Sequence, residues 1–220
     1  MRVISGTDIG NDRKINQDYF ISDVKNGVFI VADGIGGYAN GEIASSYASE
    51  RLQRRLKLLK YADFNQDIIQ IIYQVNGELV EYCNHSFGGE RMGTTILALK
   101  FFEEGIGFVS VGDTNLYGIS GDVIEQINRS HVFDDKDMPT AISSAIGPGC
   151  LYKIDSGMLD YDYDYLVLCT DGLNKFVDGK TMTDIIKNNR FDDVAKALIR
   201  EALSTDGGDN ITVIVIDLGR

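Results

Sequence analysis

Tryptophan is absent from this 220-residue chain, and proline and histidine occur only twice each. The three cysteines, Cys83, Cys150 and Cys169, are odd in number and lack paired spacing. That excludes a disulfide framework and suits a reducing compartment. Nowhere do apolar residues run together for the roughly 18 positions that a membrane helix needs. The opening M-R-V-I-S-G-T-D holds no apolar signal core, so a cytoplasmic protein with no membrane partner is expected. Basic residues are also scarce. Lys and Arg number 21 against 33 Asp and Glu, a net charge of −12, which argues against a phosphate-backbone-binding surface. What is present, 44% hydrophobic and 25% charged residues, is the composition of an ordinary globule. The length suits one domain over residues 1–220, and no linker divides it.

The chain is organised around V-F-I-V-A-D-G-I-G-G, Val28 to Gly37. Val28 to Val31 are β-branched or aromatic and predict a buried strand that ends at Asp33. Gly34, Gly36 and Gly37 allow a tight bend with bare backbone close by. Asp-Gly is also a hairpin signal, so a plain turn fits the same residues. Downstream, Ala44, Tyr47, Ala48, Leu52, Leu56 and Leu59 predict a helix over 41–60. Ile68, Ile71, Ile72, Val75, Leu79 and Tyr82 predict another over 64–86. From Gly93 the period shortens to strands separated by E-E-G, G-D-T and S-G-D turns. Residues 129–149 read as an irregular surface excursion holding Pro139 and Pro148. A second apolar run, Tyr165 to Thr170, again ends in an aspartate. Helices near 181–189 and 194–203 follow, then a strand over 211–218. The pattern predicts an α+β layered fold with antiparallel strands.

Asp33 and Asp171 leave apolar strands, Asp209 enters one, and Asp113 sits in the turn V-G-D-T. Carboxylates crowded together repel and need cations. Oxygen ligands without histidine or cysteine select Mg²⁺ or Mn²⁺ over zinc. Two such ions can ionise a bridging water and clamp a phosphoryl group. Spacing alone leaves four independent turns as an open reading.

The ordered set R-K-I-N-Q-D (Arg13 to Asp18), V-A-D-G-I-G-G-Y-A-N-G-E-I-A-S, G-T-T (Gly93 to Thr95), V-G-D-T-N-L-Y, C-T-D-G-L and G-D-N-I-T spans nearly the whole chain. It resembles the metal-dependent serine/threonine protein phosphatases of the type 2C class, in their compact bacterial form. The resemblance implies a central antiparallel β-sandwich flanked by helical layers, α-β-β-α. It implies that Asp33 bridges two metals, with the Gly34 carbonyl on one and Asp171 and Asp209 on the other. Asp18 would act through metal-bound water, Asp113 would hold a third, weaker metal, and Arg13 would hold the substrate phosphate. The implied enzyme uses Mn²⁺ or Mg²⁺ to hydrolyse phosphoserine and phosphothreonine by attack of a metal-bridging water. Its partners would be phosphorylated proteins, substrates of a serine/threonine kinase, and it would act as a monomer.

Four departures bear on that implication. Gln17 stands where the family usually has glutamate, and Ile35 where some relatives have a general-acid histidine. His131 lies near a D-H-S position without its aspartate; it and His85 are expected to be structural. The loop between His131 and Gly147 is short. Asn210 and Thr212 are expected to fix the turn around Asp209, and a surface ion pair with Asp12 or Asp18 is the alternative use of Arg13.

Rival chemistries lack their residues. No cysteine has arginine six positions on, and no G-x-S-x-G occurs. G-K-T at Gly179 has Asn174 where a phosphate loop needs glycine. D-Y-D-Y-D (Asp160 to Asp164) precedes its strand rather than following it. A catalytically silent phosphatase-fold module that binds a phosphoprotein or ligand is the remaining alternative. Gln17 and the short loop favour it; retention of Asp33, Asp171 and Asp209 opposes it.

Overall fold

The apolar runs pair into two five-stranded antiparallel sheets, ordered β1-β10-β9-β6-β7 and β2-β3-β4-β5-β8. The computed structural model of the chain describes residues 1–35, 40–133 and 141–219. The first sheet comprises β1 (Arg2–Asp8), β6 (Asn115–Ser120), β7 (Val123–Gln126), β9 (Tyr165–Cys169) and β10 (Ile211–Asp217). The second comprises β2 (Asp18–Asp23), β3 (Val28–Asp33), β4 (Ile96–Phe101), β5 (Ile106–Val111) and β8 (Asp155–Leu159). Helices α1 (Gly41–Leu56) and α2 (Phe64–Ser86) cover the second sheet. The single turn α3 (Asp171–Asn174), with α4 (Gly179–Asn188) and α5 (Val194–Thr205), covers the first.

Strict alternation along the strands builds three apolar layers from continuous apolar runs. Phe29 and Val31 of β3 meet Ile214 and Ile216 of β10 between the sheets. Their neighbours Val28, Ile30 and Ala32 turn outward onto α1 and α2. Ile211, Val213 and Val215 do the same against α5. Both strands are buried on both faces, which explains why neither shows a polar side in the sequence. The expected α+β sandwich between helical layers is the fold observed.

Some boundaries differ from the periodicity. Helix α1 was expected to reach residue 60 and ends at Leu56. Beyond it, Leu58 and Leu59 donate to the carbonyls three residues back, a tightened last turn that exposes Leu58. Strand β8, D-S-G-M-L, has no β-branched run to announce it. It forms because Gly157 lies opposite Phe108 of β5, where a Cβ would come 2.8 Å from the ring. Asp33-Gly34 closes no hairpin, since β3 leads to α1 and pairs β4 only after both helices intervene. The 129–149 stretch is irregular where described but is not the surface excursion expected: His131, Ser144, Ala145 and Ile146 are buried, held by single bridges from Val132 to Ile142 and from Ile146 to Thr94. Pro139 lies outside the described residues, as do Gly36 and Gly37 of the central turn. Among the described residues no helix is long and apolar enough to cross a membrane.

Candidate metal centre

Antiparallel pairing decides which strand ends meet. Asp18 begins β2 and Asp33 ends β3, and the two are register partners. The next pairings, Val31 with Leu97 and Ile96 with Val111, bring the start of β4 and the end of β5 to the same rim. In the other sheet Cys169, the last residue of β9, lies between Asn115 of β6 and Val213 of β10. Asp171 therefore leaves, and Asp209 enters, at the rim where Asp113 crosses from β5 to β6. Five aspartates far apart in sequence share one end of the sandwich.

Small polar residues lock this rim. Thr95 Oγ1 accepts the Asp33 N–H at 3.0 Å, and Thr94 Oγ1 donates to the Asp33 carbonyl at 2.9 Å. Thr170 Oγ1 donates to Asp18 Oδ2 at 2.9 Å and accepts the Thr212 N–H at 3.0 Å, tying the two sheets together. Asn210 accepts the Gln17 N–H through Oδ1 and donates to the Ile9 and Ile15 carbonyls, holding the segment that carries Arg13. Gly34 has room for no side chain: a Cβ would sit 2.5 Å from the Gly41 carbonyl and 2.8 Å from that of Gln17. Its N–H donates to the Gln17 carbonyl, so the backbone beside Asp33 is fixed from both sides. His131 Nδ1 accepts the Gly112 N–H at 3.1 Å and braces the Asp113 turn. Gln17 Nε2 reaches Glu42 Oε2 at 3.4 Å.

The electrostatics record the crowding. Burial, then the charges of Asp18, Asp171, Asp113 and Asp209, raise the Asp33 carboxyl well above its usual range. Burial, offset by the Thr212 and Thr170 hydrogen bonds and reinforced by Asp171 and Asp209, raises Asp18 to about 7. Asp113 also rises to about 7, through burial and Asp171, with Lys175 opposing. Asp113 contributes to the field at Asp33. Two side-chain cations answer part of this charge. Arg13 clasps Asp209 bidentately, with Nε to Oδ1 and Nη2 to Oδ2 both at 2.9 Å. Its ion-pair partner is thus neither Asp12 nor Asp18. Lys175 Nζ lies 2.5 Å from Asp171 Oδ2.

A cation-binding role can be tested against the oxygens. Asp18 Oδ1, Asp113 Oδ1 and Asp171 Oδ1 are buried with no hydrogen-bond partner. Buried carboxylate oxygens without donors are costly unless a cation meets them. The donors are all hard oxygens, which fits a hard divalent cation. Among the described residues no three acidic, histidine or cysteine side chains close on one point. Arg13 and Lys175 occupy two of the carboxylates, and the orphaned oxygens of Asp18, Asp113 and Asp171 still call for a cation. The residues therefore fit the group. The rim brings together every residue anticipated from sequence: Arg13, Asp18, Asp33, Gly34, Asp113, Asp171 and Asp209. Thr94, Thr95 and Thr170 were given no role from sequence, though each lies within a quoted motif, G-T-T or C-T-D-G-L. Nor was Lys175, whose i,i+4 spacing from Asp171 was the available signal.

A sandwich of this kind is shared by solved bacterial protein phosphatases. The serine/threonine phosphatase Stp1 of Staphylococcus aureus is similar with a TM-score of 0.85 and 25% identity, covering 98% of this chain and 94% of that one. The Ser-Thr phosphatase MsPP of Mycobacterium smegmatis, solved in complex with cacodylate, has a TM-score of 0.82 and 26% identity, covering 100% and 99%. In sequence, the serine/threonine phosphatase stp of Listeria innocua is 29% identical over 235 residues, covering 96% of this chain and 93% of its own. Residues 6–207 match the family profile of protein phosphatase 2C, and the chain belongs to that family.

The raised carboxyls give a signed pH dependence. Asp18 and Asp113 titrate near about 7 when folded, against an ordinary 3.8. The folded chain thus binds more protons than the unfolded one between these values. The stability they contribute is full below that window and is lost as pH rises through about 7. In chelator the protein should melt higher at about pH 6 than at about pH 8, and Asp18→Asn should flatten the difference. A melting temperature that instead rises over this interval would contradict the buried cluster.

Proposed function

We propose that this serine/threonine phosphatase of the 2C family hydrolyses phosphoserine and phosphothreonine in proteins at the rim that carries Asp33. The supporting observation is the trio of buried, unpartnered oxygens on Asp18, Asp113 and Asp171. Asp33, the Gly34 carbonyl, Asp171 and Asp209 would hold two Mn²⁺ or Mg²⁺ ions, with Asp18 behind them and Asp113 holding a third, weaker one. Bound there, divalent ions supply an ionised water as nucleophile and neutralise phosphoryl charge.

The chain's own residues do the rest. Thr94 and Thr95 fix the Asp33 backbone, so its carboxylate enters the site at one angle. Thr170 fixes one oxygen of Asp18 and leaves the other free to act inward. Arg13 stands at the mouth, its side chain 42% exposed, with a planar fork suited to a phosphate dianion. It would exchange Asp209 for the substrate phosphate when cations take over that carboxylate. Ile35 carries no proton, so water protonates the leaving alkoxide. The activity would reside in residues 1–220 as one domain, acting as a cytoplasmic monomer that opposes a serine/threonine kinase. The net charge of −12 and the three free thiols support that setting.

Release of phosphate from a phosphothreonine peptide tests this reading. It should require Mn²⁺ or Mg²⁺ and stop in chelator. Asp33→Asn should lower it by more than about a hundredfold with the fold retained, because the shared ligand loses its charge. Near-normal turnover in that variant would remove Asp33 from the mechanism. A folded wild-type protein that binds the peptide and releases nothing would instead be the silent module.

Arg13 acts on binding. Arg13→Ala should chiefly raise KM for phosphopeptides, by about ten- to hundredfold, the loss of a charge-assisted bidentate contact of about 1.5–3 kcal/mol. An unchanged KM would leave Arg13 with only its pairing to Asp209.

A further inference from the structure

Lys175 is a cation that the family resemblance did not assign, and it points into the carboxylate cluster. It lies one turn beyond Asp171, and its N–H donates to the Asp171 carbonyl at 3.0 Å. That turn carries the ammonium back to 2.5 Å from Asp171 Oδ2. An ordinary surface i,i+4 pair joins two exposed groups and contributes little. This pair is different on its acidic side. The Asp171 side chain is only 14% exposed, and its other oxygen, Oδ1, is buried without a partner. The same ammonium is near enough to Asp113 and Asp209 to interact with both. Lys175 itself is 40% exposed, so its flexible stem can swing into water without unfolding anything.

The geometry points to Lys175 as a built-in counter-ion of the metal centre, which holds Asp171 in the metal-free enzyme and competes with the divalent cation for it. The inference rests on the proposed role of Asp171 as a ligand. A cation arriving at Asp171 must break this ion pair, or approach a carboxylate already neutralised on one side. Either way Lys175 weakens metal binding and stabilises the empty centre. Arg13 plays a similar part on Asp209, but its fork is committed to substrate phosphate. Lys175 has no such second task among the described residues, so its charge can be removed cleanly.

Titration calorimetry of chelator-stripped protein with Mn²⁺ alone tests this. Lys175→Gln should bind Mn²⁺ more tightly than wild type, on the order of tenfold, the scale of one partly exposed ion pair beside a divalent charge. Lys175→Arg, which keeps the charge, should stay near wild type. In chelator Lys175→Gln should melt below wild type, and Mn²⁺ should raise its melting temperature by more. Equal or weaker Mn²⁺ affinity in a folded Lys175→Gln would overturn the counter-ion role while leaving the metal centre intact. Absence of Mn²⁺ binding in wild type and variants alike would bring down the metal centre and this inference together.

Discussion

Repulsion among buried carboxylates is the constraint on which the rest of this structure depends. Asp18, Asp33, Asp113, Asp171 and Asp209 are drawn to one rim, and burial with mutual charge raises the first three. A fold that gathers such groups without compensation would lose stability at neutral pH. The apolar mass of the sandwich, buried on both faces of β3 and β10, offsets that cost. Hydrophobic layers far from the rim thus allow an unfavourable polar arrangement at it, the local conflict that functional sites characteristically carry.

Rigid backbone and mobile charge divide the work at the rim. Threonine hydroxyls and the Asn210 amide pin the main chain at Asp33 and the Arg13 segment, and one carboxylate oxygen of Asp18. None of these contacts carries a formal charge on its donor, so none competes strongly for a carboxylate. The charged partners, Arg13 and Lys175, are both partly exposed and can withdraw. A fixed backbone with displaceable counter-ions would suit a centre that is assembled by the ions it binds.

Much of this was legible in the sequence because the apolar runs are long and end abruptly in Asp. Val28 to Asp33 and Tyr165 to Asp171 announced both strands and both acidic tips. Helix α2 followed its stripe from Phe64 to Ser86 to the residue. What stayed hidden depends on tertiary partners. Strand β8 has weak propensity and exists by pairing with β5. The convergence of Asp113 with the others follows from strand register, which spacing along the chain does not contain. The Arg13 to Asp209 clasp joins residues at opposite ends of the chain, and no local pattern could distinguish it from a pair with Asp12. Thr170 could have been read from its place before Asp171, but its bond across to Asp18 could not.

The central claim is that the acidic rim is a centre for two divalent ions shared through Asp33. Anomalous diffraction from crystals soaked in Mn²⁺ tests it most directly. The account predicts two strong peaks at the rim, with Asp33 touching both and the Gly34 carbonyl, Asp171 and Asp209 completing their shells. Crystals soaked to saturation that show no ion at Asp33, or Arg13 and Lys175 still clasping Asp209 and Asp171 beside an empty rim, would contradict it.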